Sequence, residues 1–448
     1  MQFIQVACEG EVTAYRQMGA FYGGDLLEVA PRIQRAYQKS VDVVYLEPPL
    51  PGQERQSVRM RLGEAGYRGA PAYSMQLPND TQAFPRDEHA CLALIKRALQ
   101  LAHSCLKDSG SVYVHVDERF SAYVRILLDE IFGKRRFQNE IVWQNKTGGR
   151  SKRSFVHQHD VILVYNRSAR PYFCPEKVAQ KRGEGKRNHL RRNVDEHGNV
   201  YFSLRTGGRE YRYEADSLVF LSDVWTDIPM LQQRDPERTG YPEQKPQALL
   251  SRILNASCPP NGCVMDLFCG SGTAAAVAAE KGCGFVASDA SAFAQNALRK
   301  RMLQMHRGIC IEQPLYLQGH AALCAHVKAS APEKSMDLCL LGYAGEDTCT
   351  RVAQPVSPSQ LSMAQMQVLS APKAYTQGAH ELQNLAALDV ISAGRMHDGI
   401  FAAHSVQLRT TAHPVLSPYL AIDAGKGMPC IQTIDACGQV AYFILQMQ

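Results

Sequence analysis

The chain has 448 residues with 49 Lys/Arg against 43 Asp/Glu, a formal charge of +6. That length exceeds one ordinary domain, so a central domain of about 250 residues with additions is expected. There is no apolar run long enough for a bilayer span, and the N-terminus MQFIQVACEG lacks the basic-then-apolar design of an export signal, so a soluble cytoplasmic chain without membrane contact is expected.

The first clear element is VDVVYLEPPL, residues 41–50, a β-branched run that ends in a carboxylate and two prolines. A helix-period segment, HACLALIKRALQLAHSCL, precedes a strand-like run from Ser111 to Val116, and a second helical segment, SAYVRILLDEIF, starts at Ser121. Another strand-like run spans Val161 to Tyr165. Strands alternating with helices indicate a mainly parallel α/β sheet.

Between Lys146 and Arg212 sixteen Lys/Arg face six Asp/Glu, so this stretch carries an excess of +10 and the rest of the chain sums to −4. Such asymmetry is the footprint of a surface that meets phosphates. The fourteen cysteines never fall in a C-x-x-C spacing, and His157 and His159 in HQHD have no second ligand pair nearby. Buried apolar cysteines, a solvated HQHD loop and no metal site are therefore expected.

The sharpest strand-turn-helix unit comes late: CVMDLFCGSGTAAAVAAEKGCGFVASDAS, residues 263–291. A buried strand ends at Asp266 and Leu267, Gly270 and Gly272 allow a tight turn with close backbone approach, and an alanine-rich helix follows. Asp289 closes the next strand, where a carboxylate can receive the two hydroxyls of a ribose. The agreement of strand, turn, helix and acidic residue points to a nucleoside-cofactor site. This unit lies behind the LEPP strand in sequence, so the sheet is a Rossmann-like one that begins in its second half, a circular permutation.

Three segments carry a resemblance: YGGDLLEVAPRI with VDVVYLEPPL; GSVYVHVDERFSAYVRILLDEIFGKRRFQNEIVWQNKTGGRSKRSF; and DVWTDIPMLQQRDPERTGYPEQKPQALLSRIL running into VMDLFCGSGT. Over roughly residues 20–305 the chain resembles the permuted (β-class) amino-methyltransferases of DNA. These are the adenine-N6 and cytosine-N4 enzymes that include the modification subunits of type III restriction systems. The resemblance implies an α/β, circularly permuted Rossmann-like sheet with S-adenosylmethionine as cofactor and an inserted target-recognition region; past about residue 309 it fades, and the sequence itself reads as a β-rich C-terminal extension. It places Asp266, Phe268, Gly270, Gly272 and Thr273 on the cofactor loop, Asp289 at the ribose and Asp25 at the cofactor's adenine. YPEQKP falls on the family's Y/H-P-T-Q-K-P element beside the methionine moiety; Gln244, Lys245 and Pro246 are kept, and Glu243 replaces the usual Thr.

The family's catalytic strand ends in D-P-P followed by Tyr, Phe or Trp. There the carboxylate and a backbone carbonyl accept both N–H groups of a flipped-out base, and the aromatic ring stacks on it. This chain reads Glu47, Pro48, Pro49, Leu50. Glu47 keeps an acceptor one methylene farther out, and a misplacement of about 1 Å can cost on the order of a hundredfold. Leu50 lacks the π surface that contributes about 1 to 3 kcal/mol of base stacking. Two functional readings follow: an adenine-N6 DNA methyltransferase with a degenerate motif, or a silent DNA-binding or regulatory subunit. The second would work with an active methyltransferase or a restriction helicase-nuclease, as a homo- or heterodimer. An RNA methyltransferase ranks below both.

The resemblance also divides the chain into residues 1–139, the catalytic half of the core; 140–222, the basic recognition insertion; 223–308, the cofactor half; and 309–448, an accessory domain. Lys146, Arg150, Lys152 and Arg153 around Gly148 and Gly149 make a cationic loop suited to DNA phosphates. The arginines from Arg55 to Arg86 suit either a nucleic-acid path or a solvated loop. The C-terminal region reads as short strands with Gly turns, open to recognition, dimerisation, subunit docking or plain packing against the core.

Overall fold

The computed structural model describes residues 3–9, 19–51, 57–61, 71–76, 87–145, 151–182, 189–232, 235–239, 241, 243–305, 309–314, 321–328, 336–345, 351–353, 388–397, 400–408, 419–422, 427–435 and 440–444. Its centre is a ten-stranded sheet. In chain order the strands are β1 (Phe3–Glu9), β2 (Gly19–Gly23), β3 (Val41–Leu46), β4 (Leu106–Val116), β5 (Phe137–Gln144), β6 (His159–Asn166), β7 (Val224–Trp225), β8 (Cys263–Asp266), β9 (Gly284–Asp289) and β10 (Ile309–Pro314). Across the sheet they run β1-β10-β2-β9-β8-β3-β4-β6-β5-β7. Strands β10, β2, β9, β8, β3 and β4 are mutually parallel; β6 is antiparallel to both β4 and β5, and β1 is antiparallel to β10 at the edge.

The permutation expected from the sequence is visible in this order. Strand β8, which leads into the glycine turn, pairs on one side with β9, which follows it, and on the other with β3, which lies more than two hundred residues earlier. Asp42 holds that seam: its Oδ2 accepts the Cys263 amide at 2.8 Å and the Lys107 ammonium at 2.7 Å. Because Asp42 is buried and both partners sit on neighbouring strands, it sets the register of β8 and β4 against β3.

Among the described residues, six α-helices cover the two faces: α1 (Leu26–Tyr37), α2 (Glu88–Cys105), α3 (Ser121–Phe132), α4 (Gln247–Ser257), α5 (Thr273–Glu280) and α6 (Ala292–Gln304). Helix α2 begins where Asp87 caps the Ala90 amide at 2.8 Å, the geometry that makes Asp a good first residue. Strand β3 shows why the run is apolar on both sides: Val41, Val44 and Leu46 enter the core under α1, α2 and α3, and Val43 and Tyr45 the core under α4, α5 and α6. Truncating a fully buried member such as Ile33 or Leu128 to Ala is expected to cost about 2 to 5 kcal/mol. Helix α5 has five alanines in eight residues, which lets it lie close on β8 and β9.

Residue 140, the boundary expected from the sequence, lies within β5. Strands β5 and β6 are part of the central sheet, because their apolar faces complete both cores through Trp143, Ile162, Leu163 and Tyr165. What stands apart from the sheet is a three-stranded antiparallel unit, Arg191–Val194, Val200–Thr206 and Arg209–Glu214, and a two-stranded one joining Gln180–Lys181 to Leu218–Val219. Likewise β10 extends the central sheet past residue 309, through its parallel pairing with β2.

Beyond it the chain is β-rich, as expected. A four-stranded sheet is built from Leu388–His397, Ile400–Leu408, Met428–Asp435 and Val440–Ile444, and a three-stranded one from Ala321–Lys328, Met336–Gly345 and Tyr419–Ile422. Ser57–Arg61 and Pro71–Gln76 form an antiparallel pair, and Arg351–Ala353 adds to it as a third strand. Arg59 and Arg61 thus lie on a strand; Arg55, Arg68 and Arg86 fall outside the described residues. No described helix is long and apolar enough to cross a membrane, and the described residues contain no group of three or more His, Cys, Asp or Glu suited to a metal.

Candidate active site

Ligands of open α/β sheets bind outside the carboxyl ends of the strands, where the chain turns to opposite sides. Here that point is the β8–β3 seam: from β8 the chain turns toward β9, and from β3 toward β4. Asp266 is paired with Tyr45, so Glu47 emerges two residues on, beside the turn that follows Asp266.

The glycine turn is tightly specified. Gly270 and Gly272 have φ of +49° and +73°. A Cβ on Gly270 would lie 3.0 Å from the Tyr241 ring, and one on Gly272 would lie 2.7 Å from Leu298 Cδ1. The Gly270 amide donates to Asp289 Oδ2 at 2.9 Å, and the Ser291 amide to Asp289 Oδ1 at 2.9 Å. The Phe268 amide donates to Asp266 Oδ1 at 3.2 Å, while the Phe268 side chain packs partly buried against the core under α1, α2 and α3.

Lys245 joins the two loops. Its Nζ pairs with Glu47 Oε1, and its carbonyl accepts the Thr273 hydroxyl at 3.2 Å. Asp25 stands at the same end of the sheet: Gly24 donates to the Asp289 carbonyl at 3.0 Å, and Asp25 Oδ1 caps α1 by accepting the Leu27 amide at 2.8 Å.

Among the described residues of this crevice, Glu47, Asp266 and Asp289 gather near Lys245. Burial pushes Asp266 well above the usual carboxylate range, and the charges of Glu47 and Asp289 push the same way. Burial also raises Asp289, to about 6, against the lowering effect of the amides that donate to it. Lys245 is disfavoured by burial, yet Glu47 and Asp160 more than offset this and hold its ammonium above the ordinary lysine value. Such a site favours a positively charged ligand.

Gln244 and Leu50, two of the expected site residues, are buried. Gln244 is buried and turned to its own loop: its oxygen accepts the Thr239 amide at 2.8 Å and hydroxyl at 2.9 Å, and its nitrogen donates to the Glu237 carbonyl at 2.8 Å. These bonds hold the shape of the loop that carries Lys245. Leu50 is 6% exposed and belongs to the core under α1, α2 and α3, so it is a packing residue. Of the other two, Pro48 is buried and the Pro49 carbonyl accepts the Cys91 thiol at 3.4 Å.

Lys152 and Arg153 are exposed on the loop between β5 and β6, at the carboxyl end of the parallel strands; Lys146 and Arg150 fall outside the described residues. The loop's neck is closed by the Asn145 amide on the Gln158 carbonyl at 3.0 Å, and His157, read as solvated, is exposed but reaches Glu118 at 2.8 Å. Part of the basic excess is neutralised internally, since Arg212 pairs with Glu214 and Asp195.

Sequence reasoning missed Tyr45, His115 and Asp160, which are linked behind Glu47. Tyr45 Oη is 2.7 Å from His115 Nδ1, and His115 Nε2 is 3.1 Å from Asp160 Oδ2. The available signal was the polar His115 inside the apolar run SVYVHV. It missed Tyr241 as well, whose ring covers Gly270.

A family model described as DNA methylase, for N6 and N4 methyltransferases, matches residues 41–299. The chain is similar to the type II methyltransferase M.EcaI of Enterobacter cloacae, 26% identical over 261 residues that cover 48% of this chain and 58% of that protein. It is also similar to the Mod subunit of the type III restriction-modification enzyme StyLTI of Salmonella typhimurium, 24% identical over 325 residues, covering 57% of this chain and 49% of that protein. The chain thus spans about half the length of the curated relatives it matches. Among solved structures, the cytosine-N4-specific PvuII DNA methyltransferase aligns at 13% identity and a TM-score of 0.41, covering 63% of this chain and 86% of that one.

Proposed function

We propose, on the premise that the chain belongs to the N6/N4 DNA methylase family whose model matches residues 41–299, that it binds S-adenosylmethionine and methylates the exocyclic amine of a DNA base, adenine N6 before cytosine N4. The observation that carries this reading is the double engagement of Lys245, whose ammonium holds Glu47 while its carbonyl holds Thr273. One residue thereby ties the tetrapeptide loop to the glycine turn.

The residues present suit the cofactor. A sulfonium and an ammonium are both cations, and among the described residues the crevice sets Glu47, Asp266 and Asp289 around Lys245. The glycine turn brings backbone close to the ligand because a side chain at Gly270 would collide with Tyr241. Each Asp289 oxygen already accepts one amide and keeps lone-pair capacity for ribose hydroxyls. Asp25 and Phe268 flank the adenine end. When bound, the cofactor supplies an electrophilic methyl group.

Glu47 accepts an N–H of the target amine, which frees the nitrogen lone pair for attack, and Lys245 fixes the direction of the carboxylate. Lys152 and Arg153, with Lys146 and Arg150 in the same loop, contact DNA phosphates and contribute affinity without sequence choice.

The tetrapeptide also favours a second reading. Leu50 is a buried aliphatic residue where an aromatic would stack on the base. On this reading the chain binds cofactor and DNA for a partner, either an active methyltransferase or a restriction helicase-nuclease subunit. Calorimetric titration with S-adenosylmethionine, followed by labelled-methyl transfer to mixed-sequence DNA, separates the two. Binding with transfer supports the enzyme, binding without transfer supports the silent subunit, and absence of binding ends both.

A further inference from the structure

Buried polar side chains in the middle of an apolar sheet need a reason, because each loses hydration that only a well-placed partner restores. Strands β3, β4 and β6 lie side by side, and each contributes one such group at its ligand end: Tyr45, His115 and Asp160. Tyr45 and His115 are 3% and 2% exposed, whereas the Asp160 side chain keeps 24% of its surface. The Trp143 ring packs edge-on against the imidazole, with centroids 5.5 Å apart, and fixes its plane.

Donors and acceptors in this row have a definite order. An ionised Asp160 can only accept, so His115 donates from Nε2 and offers the Nδ1 lone pair to the Tyr45 hydroxyl. At its other end the row comes to the tetrapeptide: Tyr45 stands two residues before Glu47, and the Glu47 charge adds to burial in raising the Tyr45 hydroxyl. The row therefore runs from beside the Glu47 carboxylate to the partly solvated Asp160. A purely structural network would satisfy the same atoms, but it would have no cause to lie beside the tetrapeptide carboxylate.

We infer that Tyr45, His115 and Asp160 form a proton-exit relay for Glu47, drawing off the proton that the target amine loses. This rests on the methyl-transfer reading above. The N–H bond breaks with its electron pair remaining on nitrogen, and Glu47 gains the proton. Glu47 then donates to the Tyr45 oxygen as Tyr45 passes its own proton to His115 Nδ1. Tyr45 ends neutral, Glu47 is restored, and the imidazolium is balanced by Asp160 until the proton leaves to solvent. Glu47 touches substrate and is the catalytic residue; the other three act through it.

The test uses the full chain with 15N-labelled histidine, His115 being assigned by His115→Asn. If the relay is wired as inferred, the free protein shows His115 protonated at Nε2, Glu47→Gln shifts its ring-nitrogen resonances, and Tyr45→Phe abolishes that response. Identical His115 resonances in wild type and Glu47→Gln overturn the relay. In single-turnover transfer, Tyr45→Phe is expected to slow the step by about 10- to 100-fold and to alter its pH profile, with cofactor affinity within twofold of wild type. A wild-type rate for Tyr45→Phe across pH also overturns it. Failure of the wild type to bind S-adenosylmethionine would instead remove the functional reading, while the resonance experiment still decides the wiring.

Discussion

Lys245, in the loop before α4, closes an ion pair on Glu47 at the end of β3, across 198 residues of sequence. Both side chains are largely withdrawn from solvent, and the surrounding groups are carboxylates. Lys245→Met leaves Glu47 beside Asp266 and Asp289 without a counter-charge. A loss of about 1 to 3 kcal/mol is expected, less than for a fully buried pair. Adding Glu47→Gln should recover part of it, and urea unfolding of the two single variants and the double variant measures the coupling.

Asp289 supplies a pH signature. Its folded value is raised by burial to about 6 from an ordinary 3.8, so its contribution to stability is present below the lower value and is lost as pH rises through the upper one. The ligand-free protein should therefore become less stable between those two values, and Asp289→Asn should flatten that segment of the profile. A cationic ligand favours the ionised form, so affinity for S-adenosylmethionine should increase over the same window. The Asn variant should bind about 10- to 100-fold more weakly, the effect of losing a charged hydrogen-bond acceptor.

The glycine turn allows a controlled comparison. Gly272 and Gly207 both have positive φ, but a Cβ on Gly272 meets Leu298 Cδ1 at 2.7 Å, whereas one on Gly207 meets nothing within 4 Å. Gly207→Ala should cost about 1 kcal/mol from backbone strain alone. Gly272→Ala should cost about 1 to 3 kcal/mol and weaken cofactor binding as well. Thermal unfolding with and without ligand distinguishes them.

Lys152 and Arg153 are exposed on a loop at the ligand end of the sheet. Replacing both with Ala should weaken DNA binding evenly across sequences. It should also reduce the slope of log affinity against log salt by about 2, read by fluorescence anisotropy of labelled duplexes.

Leu50→Tyr tests whether stacking can be restored by one substitution. Because Leu50 is buried in the core under α1, α2 and α3, the larger ring should first cost about 1 to 3 kcal/mol through overpacking. Stability and labelled-methyl transfer measured together separate that cost from any gain at the base.

Much of the centre of this protein is written locally. The β-branched run Val41–Leu46, the turn with Gly270 and Gly272, and the carboxylate of Asp289 each occupy a contiguous stretch whose backbone preferences need no distant partner. For that reason the permuted α/β sheet and its glycine turn were legible in order along the chain. A basic composition marks a surface, but the alternating apolar residues of β5 and the continuous apolar run of β6 place those strands inside the sheet.

What the amino-acid order alone determined is therefore the strands, the helices, the glycine turn and the family pattern they form. Only the tertiary structure decided which polar atoms meet: Lys245 with Glu47, Gln244 with its own loop, Leu50 with the core, and Tyr45 with His115 and Asp160. The reason is geometric. Backbone conformation follows from neighbours in sequence, whereas a hydrogen bond between strands depends on the lateral order and register of the sheet, set here by contacts such as Asp42 with Cys263 across 221 residues.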